Sequence, residues 1–260
     1  AWSPDRMRSL PRLEPLARAP RPVFIVGILR SGSSLLEQIL DAHPQIRGMG
    51  EWPVLQEGIR QIIGRGELPR PADLPALLNL DLLQRLRAFV LEAATPRCGD
   101  GIACFTDKQL GNVHWVGLIS LLFPDAPVIT CTRDHLDTCI SAWFQDLPNL
   151  YTHRLDDMAR YCLTIERLTT YWQSALANPQ HTVPYEAMAT GQEESTRAVL
   201  DVLGLPWDSA CLRFHENRRV TLTVSNQQVN RPMYTSSVGR HQNYDRHLGD
   251  LRRVLATPGP

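Results

Sequence analysis

Residues 26–36 read Val26-Gly27-Ile28-Leu29-Arg30-Ser31-Gly32-Ser33-Ser34-Leu35-Leu36. Two glycines five residues apart let backbone N–H groups curl around an anion. The apolar, β-branched run before them predicts a buried strand from Val23 to Ile28. Behind them Leu35, Leu36, Ile39 and Leu40 recur at helical spacing. A helix that opens directly after such a loop adds its N-terminal positive potential, so the unit suits a phosphate group. Ser33 and Ser34 add hydroxyl donors, and Arg30 places a guanidinium inside the loop. The plainer alternative is an ordinary strand-to-helix turn with a capping serine.

The loop departs from the nucleoside triphosphate pattern GxxxxGK[ST], because Ser33 stands where the lysine belongs. No clear strand ends in an aspartate placed for magnesium. A γ-phosphoryl group would be poorly stabilised, which disfavours ATP or GTP hydrolysis and a kinase-like reaction. A second anion candidate follows the run Val128-Ile129-Thr130-Cys131-Thr132. Arg133 sits at the carboxyl end of that predicted strand, where open α/β sheets bind ligands, and Ser141 lies eight residues on. Arg133 can fork onto a phosphate while Ser141 donates a hydroxyl hydrogen bond. An Arg133–Asp134 salt bridge in a turn is the competing reading. Lys108 is the chain's one lysine; the other 26 of its 27 Lys and Arg residues are arginine. Either the genome drifts toward arginine codons, or one position needs a compact ammonium.

The elements that must position these groups alternate along the chain. Residues 52–95 read as mostly helical, interrupted by Pro69, Pro71 and Pro75. A second strand is expected over Ile102 to Phe105 and a helix over Val113 to Leu122, stopped by Pro124. A third strand follows over Pro127 to Cys131, then helices near Leu136 to Asp146 and over 154–177. A fourth strand, His181 to Val183, precedes a helix over Glu193 to Leu203 that Gly204 and Pro206 end. Strands alternating with helices predict an α/β fold: a P-loop-like parallel sheet flanked by helices. Residues 1–21, with four prolines, read as a linker or N-terminal extension, and residues 22–260 as the domain. The stretch from Arg218 to Asn243 is polar and lacks periodicity.

At 260 residues, with 43% hydrophobic and 21% charged, the chain can bury a core without disulfides. Charges balance at 27 against 27, so no basic field argues for nucleic acid. No apolar run approaches the roughly 20 residues that cross a bilayer. Six scattered cysteines without a CxxC pair fit a reducing, cytoplasmic compartment and argue against a zinc ribbon.

Taken together, these segments resemble the sulfotransferases that use 3′-phosphoadenosine 5′-phosphosulfate (PAPS). Arg30-Ser31-Gly32-Ser33-Ser34-Leu35 is similar to that family's 5′-phosphosulfate loop, and Arg133 through Ser141 to its 3′-phosphate motif. Leu203-Gly204-Leu205-Pro206-Trp207-Asp208 and Tyr234-Thr235-Ser236-Ser237-Val238-Gly239-Arg240 resemble elements of a bacterial branch often linked to tetratricopeptide repeats and similar to the tyrosylprotein sulfotransferases. The resemblance spans roughly residues 22–250. It implies a sulfotransferase fold in which Arg30, Ser31, Gly32, Ser33 and Ser34 cradle the 5′-phosphosulfate and Arg133 and Ser141 hold the 3′-phosphate. It further implies Tyr185 near the adenine, Ser225 near the sulfonate bridge, and Arg240 closing over the donor phosphates. Gln145 stands where the tyrosylprotein enzymes carry another arginine, and His241 where a tryptophan is usual.

The implied activity moves a sulfonate from PAPS to a hydroxyl or phenol, on peptide tyrosine or a small molecule, releasing adenosine 3′,5′-bisphosphate (PAP). Sulfonate carries less charge than a terminal phosphoryl group, so fixed cations and N–H groups suffice and no metal is expected. Arg30 and Lys108 are the expected catalytic cations, and Glu51, in Gly48-Met49-Gly50-Glu51, the expected general base. A carboxylate is a weak base for a phenol near pKa 10, so proton transfer must be coupled to bond formation or burial must raise its pKa. His114, inside an apolar run, is the alternative base, and a helix-capping role is the alternative for Glu51. A catalytically silent PAP-binding module is the competing function.

Overall fold

The computed structural model describes residues 1–18, 20–216 and 231–257. Five parallel strands form one sheet in the order β2-β3-β1-β4-β5. They are β1 (Arg21–Gly27), β2 (Ile46–Gly48), β3 (Cys104–Asp107), β4 (Val128–Thr132) and β5 (Gln180–Pro184). The central β1 is buried on both sides, which its unbroken apolar run requires. Val23 and Ile25 face one layer, against Leu36 and Ile39 of α2 (Ser33–Asp41) and Leu200 of α10 (Gln192–Leu203). Phe24 faces the other, against Leu118 of α6 (Val116–Leu122) and Phe123. Val26 lies on that same side with Met158 and Trp172 of α8 (Leu155–Ala175). The result is an α/β sheet flanked by helices on both faces.

Four strands were legible from apolar runs; β2 is a fifth. Three residues with only Ile46 and Gly48 buried give no periodicity to read. The helix expected over Val113 to Leu122 begins as a tighter 3-10 segment, Leu110–Trp115, and becomes α6 only at Val116.

The proline-rich N-terminus is docked rather than detached. α1 (Pro4–Ser9), capped by Ser3, buries Met7, and Leu10 and Leu13 are buried behind it. Trp2 packs edge-on against Trp172 and donates its indole N–H to the Pro71 carbonyl at 2.8 Å. Arginines and prolines dominate the composition here, but the apolar residues between them cover α6 and α8.

Parallel strands place all five carboxyl ends along one edge of the sheet. Residues 28–32 leave β1, Glu51 follows β2, Lys108 follows β3, Arg133 follows β4 and Tyr185 follows β5. Residues scattered over more than 150 positions therefore meet at one edge.

Candidate active site

That edge holds a cleft of about 420 Å³, within the usual range for small-molecule sites. The loop after β1 forms one wall. Gly27 is obligatory: its φ is +140°, and a Cβ there would lie 2.4 Å from the Cys131 carbonyl oxygen on β4. Gly32, at φ +88°, opens α2; a Cβ would come within 2.7 Å of the Tyr185 ring. Arg30 between them also adopts a left-handed conformation, φ +67°. Ser33 and Ser34 line the cleft at the first turn of α2. Ser31 does not: it is fully buried and its hydroxyl donates to the Ile28 carbonyl at 2.6 Å, holding the loop closed.

Arg133 leads into α7 (His135–Trp143) and lines the cleft beside that loop. Its Nη1 donates to the Arg30 carbonyl at 3.1 Å and its Nη2 to the Ser237 carbonyl at 2.6 Å, and it stacks 4.5 Å over the Tyr185 ring. Its side chain is only 6% exposed, and Nε has no hydrogen-bond partner among the described residues. Arg30 Nε donates to the Ser141 hydroxyl oxygen at 3.0 Å, which ties the β1 loop to the β4 wall. Burial, and then the Arg133 charge, lower the Arg30 pKa; Arg240 pushes the same way. Three guanidinium groups thus repel one another around one cleft, a field that a multiply charged anion would relieve. Tyr185, Tyr234 and Ser237 complete this side, and Arg240 lies 5.4 Å from the Phe144 ring centroid. Burial raises the Tyr185 phenol, with Arg133 opposing.

Glu51 also lines the cleft, at 47% side-chain exposure. Lys108 is fully buried beneath it and donates from Nζ to Glu51 Oε1 at 2.8 Å. The one lysine therefore meets the carboxylate rather than the cleft surface. The peptide before Glu51 is gripped from both sides. The Gly50 N–H donates to Glu37 Oε1 at 2.8 Å, and the Gly50 carbonyl accepts the Lys108 N–H at 3.0 Å. Glu37, buried on α2, also accepts the Thr106 hydroxyl at 2.7 Å. Asp107 lies alongside and ends β3, contrary to the expectation that no clear strand ends in an aspartate; its pKa is raised to about 7 by burial, although the Gln109 N–H donates to it at 3.0 Å.

His114 does not join this group. Burial lowers its pKa, and it borders a separate groove with Tyr171 and Arg160. Ser225 lies outside the described residues. Sequence reasoning passed over Glu37, Asp107 and Asp137. A carboxylate among helical leucines or in a first turn reads as solvent-facing, and only tertiary contacts show otherwise. Among the described residues, Asp134, Asp137 and His241 form the one acidic–histidine group with ligand atoms within 4.8 Å of one another.

A model of the sulfotransferase family matches residues 22–209. The chain belongs to the sulfotransferase family. An uncharacterized protein of Aquifex aeolicus is 27% identical over 256 residues, covering 90% of this chain and 32% of that protein. Protein-tyrosine sulfotransferase 1 of Danio rerio is 26% identical over 201 residues, covering 75% of this chain and 56% of that one. The sulfotransferase chain thus spans about a third to a little over half of these relatives. In fold it matches the sulfotransferase domain of the Synechococcus PCC 7002 olefin synthase, with a TM-score of 0.61 and 18% identity over 96% of this chain and 99% of that one. A sulfotransferase domain from the curacin biosynthetic pathway gives a TM-score of 0.54 at 15% identity, over 94% of this chain and all of that one.

Proposed function

We propose that this domain transfers a sulfonate group from PAPS to a hydroxyl or phenol acceptor. The observation that carries the reading is the buried Nε of Arg133, which has no hydrogen-bond partner among the described residues and belongs to one of three guanidiniums around the cleft beside the 27–32 loop. A buried donor without a partner costs free energy unless a ligand completes it.

In this reading Arg133 and Ser141 hold the 3′-phosphate, and the 27–32 loop with Ser33 and Ser34 holds the 5′-phosphosulfate. Tyr185, packed under Arg133, borders the adenine. The donor supplies an activated sulfonate on a phosphate leaving group. One S–O bond forms to the acceptor oxygen as the bridging S–O bond to phosphate breaks, and the acceptor proton passes to Glu51. Arg30 stabilises the negative charge that builds on the departing phosphate oxygen. Lys108 orients Glu51 through the 2.8 Å contact, and the doubly held Gly50 peptide fixes the base in place. Fixed guanidiniums do the electrostatic work here, so transfer is independent of added magnesium. Peptide tyrosine is one candidate acceptor, in keeping with the names of the curated relatives; a small alcohol or phenol is the other. The six unpaired cysteines agree with a cytoplasmic setting.

The test is sulfonate transfer from labelled PAPS to a panel of phenols, alcohols and tyrosine peptides in EDTA. Glu51→Gln should lower kcat by roughly 10²- to 10⁴-fold with PAP affinity unchanged, the usual range for a general base. PAP binding without transfer to any acceptor would favour a silent binding module, and full activity in the variant would remove Glu51 as the base.

A further inference from the structure

We propose that Asp137 is a latch that holds the 237–241 segment closed over the donor's 3′-phosphate, with His241 as its second arm. The proposal rests on the donor reading above and assigns the residue that positions its pocket. Asp137 lies in the first turn of α7, four residues after Arg133, and its side chain is 1% exposed. A carboxylate buried that deeply must be satisfied by donors. The hydrogen-bond donors come from about 100 residues away, while Arg133 Nη2, four residues before, stands 4.0 Å from Oδ2. The Gly239 N–H donates to Oδ2 at 2.7 Å, the His241 N–H to Oδ1 at 2.8 Å, and His241 Nδ1 lies 3.0 Å from Oδ1. Gly239, at φ +69°, turns the chain so that these groups converge on one carboxylate.

The captured segment supplies Ser237 and Arg240 to the cleft wall. Asp137 fixes the residues on either side of Arg240, and thereby the position of its guanidinium. Ser237 in turn accepts Arg133 Nη2 at 2.6 Å, so the captured segment also steadies the phosphate-facing arginine. Apolar packing is the lesser part of this job: Val238 and Tyr244 are only partly buried against the cores, and no residue of the 3-10 segment Arg240–His247 is fully buried. The hold on the segment is polar and charge-assisted, and it can be removed without emptying the core. Asp134 Oδ1 stands 3.4 Å from His241 Nδ1, so the imidazole is flanked by two carboxylates. The same three side chains present cation-ligand spacing. However, both Asp137 oxygens already accept N–H groups, which favours a latch over a metal site.

The test measures PAP affinity and dissociation rate by calorimetry and stopped flow, with the ligand-free melting temperature recorded alongside. Asp137→Asn, which removes a charge-assisted set of hydrogen bonds, should weaken PAP roughly 10- to 100-fold, mostly through faster dissociation. His241→Ala, which keeps the backbone donors, should weaken it about 3- to 10-fold. Acceptor KM should stay unchanged in both. PAP binding and dissociation within twofold of the wild type in both variants would overturn the latch while leaving the donor reading intact. So would a lowered melting temperature alone, which marks a merely structural role. Wild-type protein that takes up no PAP overturns the donor reading and the latch with it. Tightening of PAP by Mg²⁺ or Zn²⁺ that Asp137→Asn abolishes would make the cluster a cation site and overturn the latch.

Discussion

Asp107 offers the most quantitative test of how the floor beneath Glu51 is built. Burial raises its pKa from 3.8 to about 7, and the Gln109 N–H and the Asn112 side chain, with Lys108 a smaller contributor, only partly offset this. The folded pKa lies above the unfolded one. Between about pH 4 and pH 7 the folded protein therefore keeps a proton that the unfolded chain has lost, and wild-type stability falls as pH rises through that interval. At roughly 1.4 kcal/mol per pKa unit, burying this carboxyl costs about 4 kcal/mol above pH 7, where it must ionise in place, and about 2 kcal/mol near pH 5, where it must hold a proton. Asp107→Asn keeps an oxygen for the Gln109 N–H and removes the charge. The variant should gain on the wild type by about 2–3 kcal/mol more at pH 8 than at pH 5. For a domain of this size that is a relative rise in Tm of roughly 5–10 °C. Urea unfolding of both proteins across that range measures it. A stability difference flat with pH would refute the reasoning, since it would mean that Asp107 ionises at its ordinary pKa in the folded protein.

Other perturbations probe the scaffold. Gly32→Ala puts a Cβ at φ +88° and 2.7 Å from the Tyr185 ring, so it should weaken PAP by roughly tenfold or more even where the fold survives; unchanged affinity would contradict the loop geometry. Deleting residues 1–18 uncovers the surface against which Met7, Leu10 and Leu13 are buried, each worth roughly 1.5–3 kcal/mol before the regained chain entropy. The truncated protein should melt several degrees lower; an unchanged Tm would mean that the N-terminal segment is a passive tether.

The α/β character and four of the five strands were readable because parallel strands buried on both faces produce continuous apolar runs such as Val23 to Val26. The glycine loop was readable because glycine at a forced backbone angle leaves a mark in the sequence, and both Gly27 and Gly32 have that reason. β2 was not readable, since three residues carry no period. The docking of the N-terminal segment was not readable, because proline content suppresses the signal of the few apolar side chains that anchor it. Within the cleft, Arg30, Ser33, Ser34, Glu51, Arg133, Ser141, Tyr185 and Arg240 were named from the sequence, and all line it. Ser31 was placed by its neighbours in the motif, but its hydroxyl turns inward. The polar residues that hold the site together, Glu37 and Asp137, were invisible: each reaches a partner far along the chain, and nothing local distinguishes a buried helix carboxylate from a solvated one.

The central claim is that a buried guanidinium cluster on the β1 and β4 loops receives a nucleotide bearing phosphates at both ends of its ribose. Calorimetry of PAP and of adenosine 5′-monophosphate, in EDTA, against the wild type and Arg133→Ala tests it most directly. The account predicts that Arg133→Ala weakens PAP by about 10- to 100-fold, and that the monophosphate, which lacks the 3′-phosphate, binds both proteins alike. Equal PAP affinity in the two proteins, or no heat from PAP at all, would contradict it.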